Sequence, residues 1–362
     1  MTQTMAQKTT HIIRFFAVTT LAPVALLALG ALFGGFWAVA GFLYMTALAY
    51  SLDQLVILAR APENPEAEFP DANALSTGLA LSHFALLPLA VWALSNGQLA
   101  FWERLFVFFG MGLFFGQVSN SNAHELVHRS DRTLRRLGTW VYITLLFGHH
   151  ATAHVRVHHR YAATARDPNS APLGMSYFRF LPRAWLGSFR AGLREENAMR
   201  ARAKSTDLHP YVLYVGGAIV CLALAYLIGG FTGVFKYMLL AGYASSQLML
   251  SDYVQHYGLR RREVAPGKFE PVSAGHSWNS PQWFTSFLML NAPRHSDHHA
   301  HPMKPYPALA VTEEMPQLPR SLPAMATLAL IPPLWRKVMD PRVARLHAAT
   351  GTQGSVNHLL RK

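Results

Sequence analysis

The chain offers one cysteine, Cys221, among 362 residues. A single thiol cannot close a disulfide within the chain, and it cannot supply the cysteine set of an iron–sulfur cluster. No Gly-rich phosphate loop follows a strand-like segment, so a built-in nicotinamide or flavin domain is not indicated. Charge is scarce too: Asp, Glu, Lys and Arg make up 14% of the residues, against 51% apolar. Acidic residues are the scarcer sign, 19 against 32 Lys and Arg, which leaves a net charge of +13. No nucleic-acid motif or aromatic-basic pattern accompanies that charge, which argues against nucleic acid as a partner. Anionic membrane lipid and an acidic protein surface remain as its counterparts. Any electrons the chemistry needs must come from another protein.

What the chain has in quantity is apolar sequence, in blocks of membrane-spanning length rather than amphipathic stripes. Six blocks are expected to span, at about 15–32, 33–52, 74–94, 103–121, 211–230 and 231–250. Short linkers at Gly34-Gly35, around Ser95-Asn96-Gly97 and at Gly229-Gly230 pair them as three helical hairpins. The runs 139–148 and 322–335 are too short to span and read as interfacial or buried. The first block, preceded by Lys8 and Arg14, has the look of a secretory signal. A second block follows within two residues, which favours a hairpin of uncleaved anchors. The expected fold is therefore an all-α membrane protein, residues 1–362 forming one integral-membrane domain of six transmembrane helices with a helical cap.

Basic residues orient it. Of the 32 Lys and Arg, 14 fall in 122–210 and 13 in 251–362; Lys8, Arg14 and Arg60 join that side. Only Arg104 and Lys236 sit near the opposite ends. The positive-inside rule then places both termini and the cap in the cytoplasm, with the chain multi-pass in a cell inner membrane.

Nine histidines gather at that cytoplasmic face in four clusters. They are His124 and His128; His154, His158 and His159; His256; and His295, His298 and His299. On a helix, positions i, i+3 and i+4 share a face, so each multiple cluster can aim several imidazoles one way. Imidazole suits iron, copper, zinc and nickel, and nine are too many for one ion, so two metal ions between helices are expected. Adjacent residues point about 100° apart on a helix, which lets His158 and His159 face different ions. Asp167 is placed to accept a ligand's distal N–H and fix its tautomer; a loop cap is the plainer alternative. Asp297 is a second such candidate. His149 and His150 read as interfacial or second-layer residues, and His301, which precedes a proline, is left outside the metal shell. His11, His83, His209, His276, His347 and His358 are isolated and treated as ordinary. The string His124-Glu125-Leu126-Val127-His128 also matches a zinc-protease signature, but that reading leaves seven histidines without a role. Metal transport is the other class; it predicts ionisable residues strung through the spans, and the spans carry few.

In combination these segments resemble the integral-membrane non-heme diiron hydroxylases, in particular bacterial alkane 1-monooxygenases, and are similar to the xylene monooxygenase hydroxylase. The likeness is carried by His124–Arg129, by His154–His159 with Asp167-Pro168, by Tyr253–Leu259, and by His276-Ser277-Trp278-Asn279-Ser280 through Arg294–Pro302. It implies that the nine histidines hold two iron ions, with O2 as co-substrate. It also implies a rubredoxin or ferredoxin-type carrier with its reductase. The basic cytoplasmic face points to docking near Arg260, Arg261 and Arg262, with a plain topology signal as the alternative for that triplet. The implied reaction hydroxylates the terminal carbon of medium-chain alkanes; aromatic methyl groups, or acyl chains of a membrane desaturase or hydroxylase, are the alternatives. Asp252 departs from the alkane pattern, which has asparagine before the tyrosine, and is kept as a residue behind the ligands. The second box, His154-x-x-x-His158-His159, is closer to the xylene type and differs from the His-x-x-His-His of desaturases. A hydrocarbon dissolved in the bilayer, gaining about 0.8 kcal/mol per CH2 buried there, would enter between the spans. Leu113, Gln117 and Asn120 are candidate cavity residues, with plain helix packing the alternative for Leu113.

Overall fold

A computed structural model describes residues 2–55 and 69–350, with side chains from residue 12. Arg60 and His358 lie outside the described residues, as do the side chains of Lys8 and His11. The chain is mostly helical, and the described residues contain one strand pair, Glu263–Ala265 with Lys268–Phe269.

Among the described residues, four helices are long and apolar enough to cross a membrane: Ile12–Phe33, Gly35–Leu55, Asp71–Ser95 and Pro210–His256. The last is two helices in one, broken where Gly229 and Gly230 leave helical geometry. Gly230 has a φ of 59°, a conformation that glycine adopts without a Cβ penalty. The fourth expected block lies in an unbroken helical run, 101–127, made of Phe101–Phe114, a π-helical turn Phe115–Ser119, and Asn120–Val127. The run 139–148 lies at the end of the amphipathic helix Arg132–Thr144, and 322–335 is split between Leu322–Ala329 and the helix that begins at Pro332.

The three glycine- or polar-rich turns meet at one end of the molecule. The Glu103 carboxylate accepts from Gly35 N at 2.6 Å and from Ala100 N at 2.7 Å, tying the first turn to the start of the 101–127 run. Asn96 Nδ2 donates to Ile228 O at 2.5 Å, joining the second turn to the third. All the clustered histidines lie on segments at the other end.

Close crossings set the helix spacing. A Cβ at Gly112 would lie 2.3 Å from a Tyr243 ring carbon, and one at Gly116 would lie 2.3 Å from the Gln247 amide. Gln247 Nε2 in turn donates to Gly112 O at 2.8 Å. The 101–127 run and the second half of Pro210–His256 can therefore approach here because both glycines lack a side chain. Below them, Asp53 fixes the cap to the second helix by accepting from Phe284 N and Thr285 N at 2.9 and 3.0 Å. Those are orphan donors in the first turn of Trp283–Leu288, where a carboxylate is favoured.

Gly112→Ala should overpack the crossing and destabilise the protein by about 1–3 kcal/mol. A lower thermal unfolding midpoint in detergent is expected; an unchanged midpoint would show that Tyr243 yields freely.

Candidate metal centre

Four segments bring the nine histidines together. His124 and His128 are carried by the last turns of the 101–127 run, and His154, His158 and His159 by the helical stretch that starts at His150. His256 ends the Pro210–His256 helix, while His295, His298 and His299 sit on the short helix His295–Ala300. Their nitrogens form two groups: His124, His128, His154, His159 and His298; and His158, His256, His295 and His299. Within each group the donor atoms lie within 4.8 Å of one another.

The second box sorts its rings differently from α-helical spacing. His154–His158 is a π-helical turn, and π geometry brings i and i+5 together. His154 and His159 accordingly meet, Nε2 to Nε2, at 2.9 Å, while His158 turns to the other group. The expectation that His154 and His158 share one face is thus corrected; the expectation that His158 and His159 part company holds.

The nitrogens fit cations better than they fit one another. Nε2 atoms approach at 3.1 Å between His298 and His159, His295 and His256, and His299 and His295. Two imidazole nitrogens bound at right angles to one ion about 2.1 Å away would lie about 3.0 Å apart. Meanwhile Nε2 of His124, His128 and His158 are buried without any hydrogen-bond partner, a costly state unless something else meets them. Burial first, and neighbouring imidazoles second, hold His124, His154, His159, His295, His298 and His299 well below the ordinary histidine value. Burial likewise lowers His128 to about 4. Neutral imidazole is the form that binds a metal.

Asp167 acts on one of them. Its Oδ2 lies 2.8 Å from His158 Nδ1, fixing the proton there and leaving Nε2 free to ligate. Burial alone would lower His158, but the adjacent carboxylate raises it on balance. Ser170 Oγ also donates to Asp167 Oδ2 at 2.7 Å, and Asn169 N to Oδ1 at 3.0 Å. Asn169 Nδ2 then donates to Asp252 Oδ2 at 2.7 Å, so Asp252 stands one residue further back. His256 Nδ1 faces the His276 carbonyl at 3.2 Å, which gives the isolated His276 a supporting part through its backbone.

Asp297 is not an orienting group for the nine. Its oxygens take His301 Nδ1 at 2.9 Å, Lys304 Nζ at 2.7 Å and Ala310 N at 2.8 Å. His301 is 65% exposed on its side chain and belongs to neither group. His149 meets Ser188 Oγ at 3.2 Å, and His150 packs against Tyr142 and Phe147; both are buried and belong to neither group. Glu125, the base a zinc protease would need, is held by Arg129 and by Tyr306 N at 3.1 Å. The sequence reading quoted Asn279 only within the resembling stretch and gave it no role; its side chain accepts from Ser296 N at 2.9 Å and donates to Ser296 Oγ at 2.7 Å. That role was not readable locally, because its partner is far along the chain.

A cavity abuts the centre between the 101–127 run and the second half of Pro210–His256. Gly116, Asn120 and Ser121 line it from one helix and Leu248, Ser251, Asp252 and Gln255 from the other, and His124, His150, His154 and His295 also line it. From Gly116 to His124 is eight helical residues, about 12 Å. Asn120 Nδ2 donates to Ala244 O at 3.0 Å, so it links helices as well as lining the space. Leu113 packs against the apolar core, and Gln117 is buried outside the lining.

A fatty acid desaturase family model matches residues 99–329 of the chain, a stretch containing all nine histidines. An alkane 1-monooxygenase 1 from Pseudomonas aeruginosa is 34% identical over 331 residues, covering 86% of this chain and 85% of the relative. An alkane 1-monooxygenase 2 from the same species is 32% identical over 306 residues, 81% of each. A xylene/toluene monooxygenase hydroxylase component from Pseudomonas putida is 25% identical over 338 residues, 89% of this chain and 86% of the relative.

Asp167→Asn should loosen the His158 ring and lower metal affinity by about 10- to 100-fold, read by chelator competition on purified protein. His301→Ala should leave affinity close to the parent value. Equal affinity in both variants would remove Asp167 from its orienting role.

Proposed function

The chain belongs to the alkane 1-monooxygenases within the fatty acid desaturase family, and from that membership we propose that it is a membrane hydroxylase of medium-chain alkanes. It would place one atom of O2 on the terminal carbon, with the other leaving as water. The observation that carries this reading is the division of the nine imidazoles into groups of five and four beside a cavity with an apolar lining. His124, His128, His154, His159 and His298 would hold one iron, and His158, His256, His295 and His299 the other. Bound there, the two irons would supply reductive O2 activation and cleavage of an unactivated C–H bond, chemistry that no side chain provides.

The chain's own residues supply the rest. Asp167 keeps the proton on His158 Nδ1 so that Nε2 faces the metal. Leu248, Met289, Ala292 and Leu322 give the cavity its apolar contacts, and the two facing helices confine a substrate along their length. An apolar lining carried on two crossing helices and adjoining the histidines favours an unbranched chain with its terminal carbon there. The aromatic alternative is supported by the xylene-type spacing of the second box and the 25% identical relative.

The proposed topology has six crossings, with residues 103–121 of the 101–127 run as the fourth and residues 211–230 and 231–250 of Pro210–His256 as the fifth and sixth. The histidine end would face the cytoplasm of a cell inner membrane, because 30 of the 32 basic residues fall in the sequence segments that this topology assigns to that side. Electrons would come from a rubredoxin or ferredoxin-type carrier with its reductase. Of the basic triplet, Arg260 and Arg262 are exposed and suited to a transient dock. Arg261 is not: its guanidinium donates to Glu270 O and, at 2.9 Å, to Arg160 O, pinning the strand pair to the cap.

Purified protein should contain about two irons and convert octane to 1-octanol with O2 and a reductase system. His128→Ala, His158→Ala and His298→Ala should each lower iron content and abolish turnover. Full turnover in two of them would sink the ligand assignment, and oxidation of xylene without octane would replace the substrate.

Turnover with a soluble carrier should fall as ionic strength rises, since screening shortens the attraction. Arg260→Gln with Arg262→Gln should weaken the carrier's apparent affinity at low salt; salt-independent turnover would move the dock elsewhere.

A further inference from the structure

The helix Tyr177–Ala203 has three faces. Tyr177, Phe180, Ala184, Ser188, Ala191 and Gly192 are buried against the rest of the protein. A second stripe, at i, i+4 and i+8, is apolar yet open: Phe178 is 59% exposed and Leu186 56%, with Pro182 exposed between them. A third stripe is basic, and Arg179, Arg190 and Arg194 on it are exposed. At 3.6 residues per turn the two open stripes stand about 90° apart.

Its anchors set its depth. Tyr177 Oη donates to Ser246 O at 2.6 Å, near the foot of the second half of Pro210–His256. Twelve residues later, Phe189 O accepts from Tyr211 Oη at 3.0 Å, at the foot of the first half. The helix therefore runs from the base of one apolar helix to the base of the other, across the plane where both leave the membrane.

We propose that Tyr177–Ala203 lies in the cytoplasmic membrane interface, with Phe178, Pro182 and Leu186 in the acyl boundary and Arg179, Arg190 and Arg194 on anionic lipid headgroups. The reading rests on the membrane topology given above. Exposed apolar and basic stripes side by side are the pattern of an interfacial helix, and the cytoplasmic leaflet carries the matching negative charge. The buried stripe reaches the metal centre. Ala191 packs with Val157 and Tyr161, and Glu196 pairs with Arg156 at 3.1 Å, so the helix backs the segment carrying His154, His158 and His159. Lipid contact on one side would steady a ligand-bearing turn on the other.

The test uses full-length Cys221→Ser protein in vesicles of phosphatidylcholine and phosphatidylglycerol. Nitroxide labels go on Leu186→Cys, on Leu224→Cys in the proposed fifth crossing, and on Val264→Cys in the strand pair. Collision with O2 and with a water-soluble nickel chelate is then measured. The label at 186 should match that at 224, with an O2-to-nickel ratio several-fold above that at 264. In Arg179→Gln/Arg190→Gln/Arg194→Gln protein, nickel access at 186 should rise to the level found in phosphatidylcholine alone. A label at 186 that behaves like that at 264, while 224 is lipid-exposed, overturns this proposal and leaves the topology standing. A water-exposed label at 224 overturns both. An unchanged depth in the triple variant overturns the headgroup contact.

Discussion

Nine imidazoles crowded into a buried space constrain everything around them. Charged, they would repel one another in a medium that screens poorly; neutral and unpartnered, their nitrogens would each forfeit a hydrogen bond on burial. A shared cation would resolve both difficulties at once, provided that the rings converge. The fold can be read as the apparatus that makes them converge from four separate segments. No carboxylate joins either group; the acids stand behind, where Asp167 fixes one ring directly and Asp252 reaches it through Asn169.

Rigidity is arranged from both directions. At the far end, three turns are locked together by Glu103 and Asn96, so the helices entering the centre begin from a common base. Midway, the glycine crossing at Gly112 and Gly116 fixes the separation of the two helices that flank the cavity. On the cap side, Trp278 N donates to Gln255 O at 2.8 Å and Gln255 Nε2 to Ala292 O at 3.1 Å, so the stretch leading to His295 is stitched at two points to the end of the Pro210–His256 helix. The same atoms that position ligands therefore also close the cavity wall.

The apolar blocks and hairpin turns were legible because a run of membrane-spanning length and a Gly-Gly break are local signals. The nine histidines were legible because all carry helix-compatible spacing or sit at the end of an apolar block. Asp297 was misjudged since adjacency in sequence to His298 says nothing of which way its carboxylate turns; Lys304 and the Ala310 amide decide that. Arg261 looked like its neighbours in a basic triplet, and only its bonds to Glu270 and Arg160 across the chain set it apart. The roles of Asn279, Asn169 and Asp53 were unreadable for the same reason: each is defined by a distant partner.

The π-helical turn at His154–His158 changes the meaning of a spacing. A box of His-x-x-His-His on a plain α-helix puts its three rings at i, i+3 and i+4. Lengthening it by one residue, as here, would rotate the last two rings off target if the helix stayed regular. A π turn absorbs the added residue, and the rings at i and i+5 meet as those at i and i+4 otherwise would. The two spacings are thus alternative spellings of one ligand geometry. The extra residue in the second box then carries no information about whether oxygen is inserted or a second hydrogen removed. That distinction must reside in what the cavity presents to the centre.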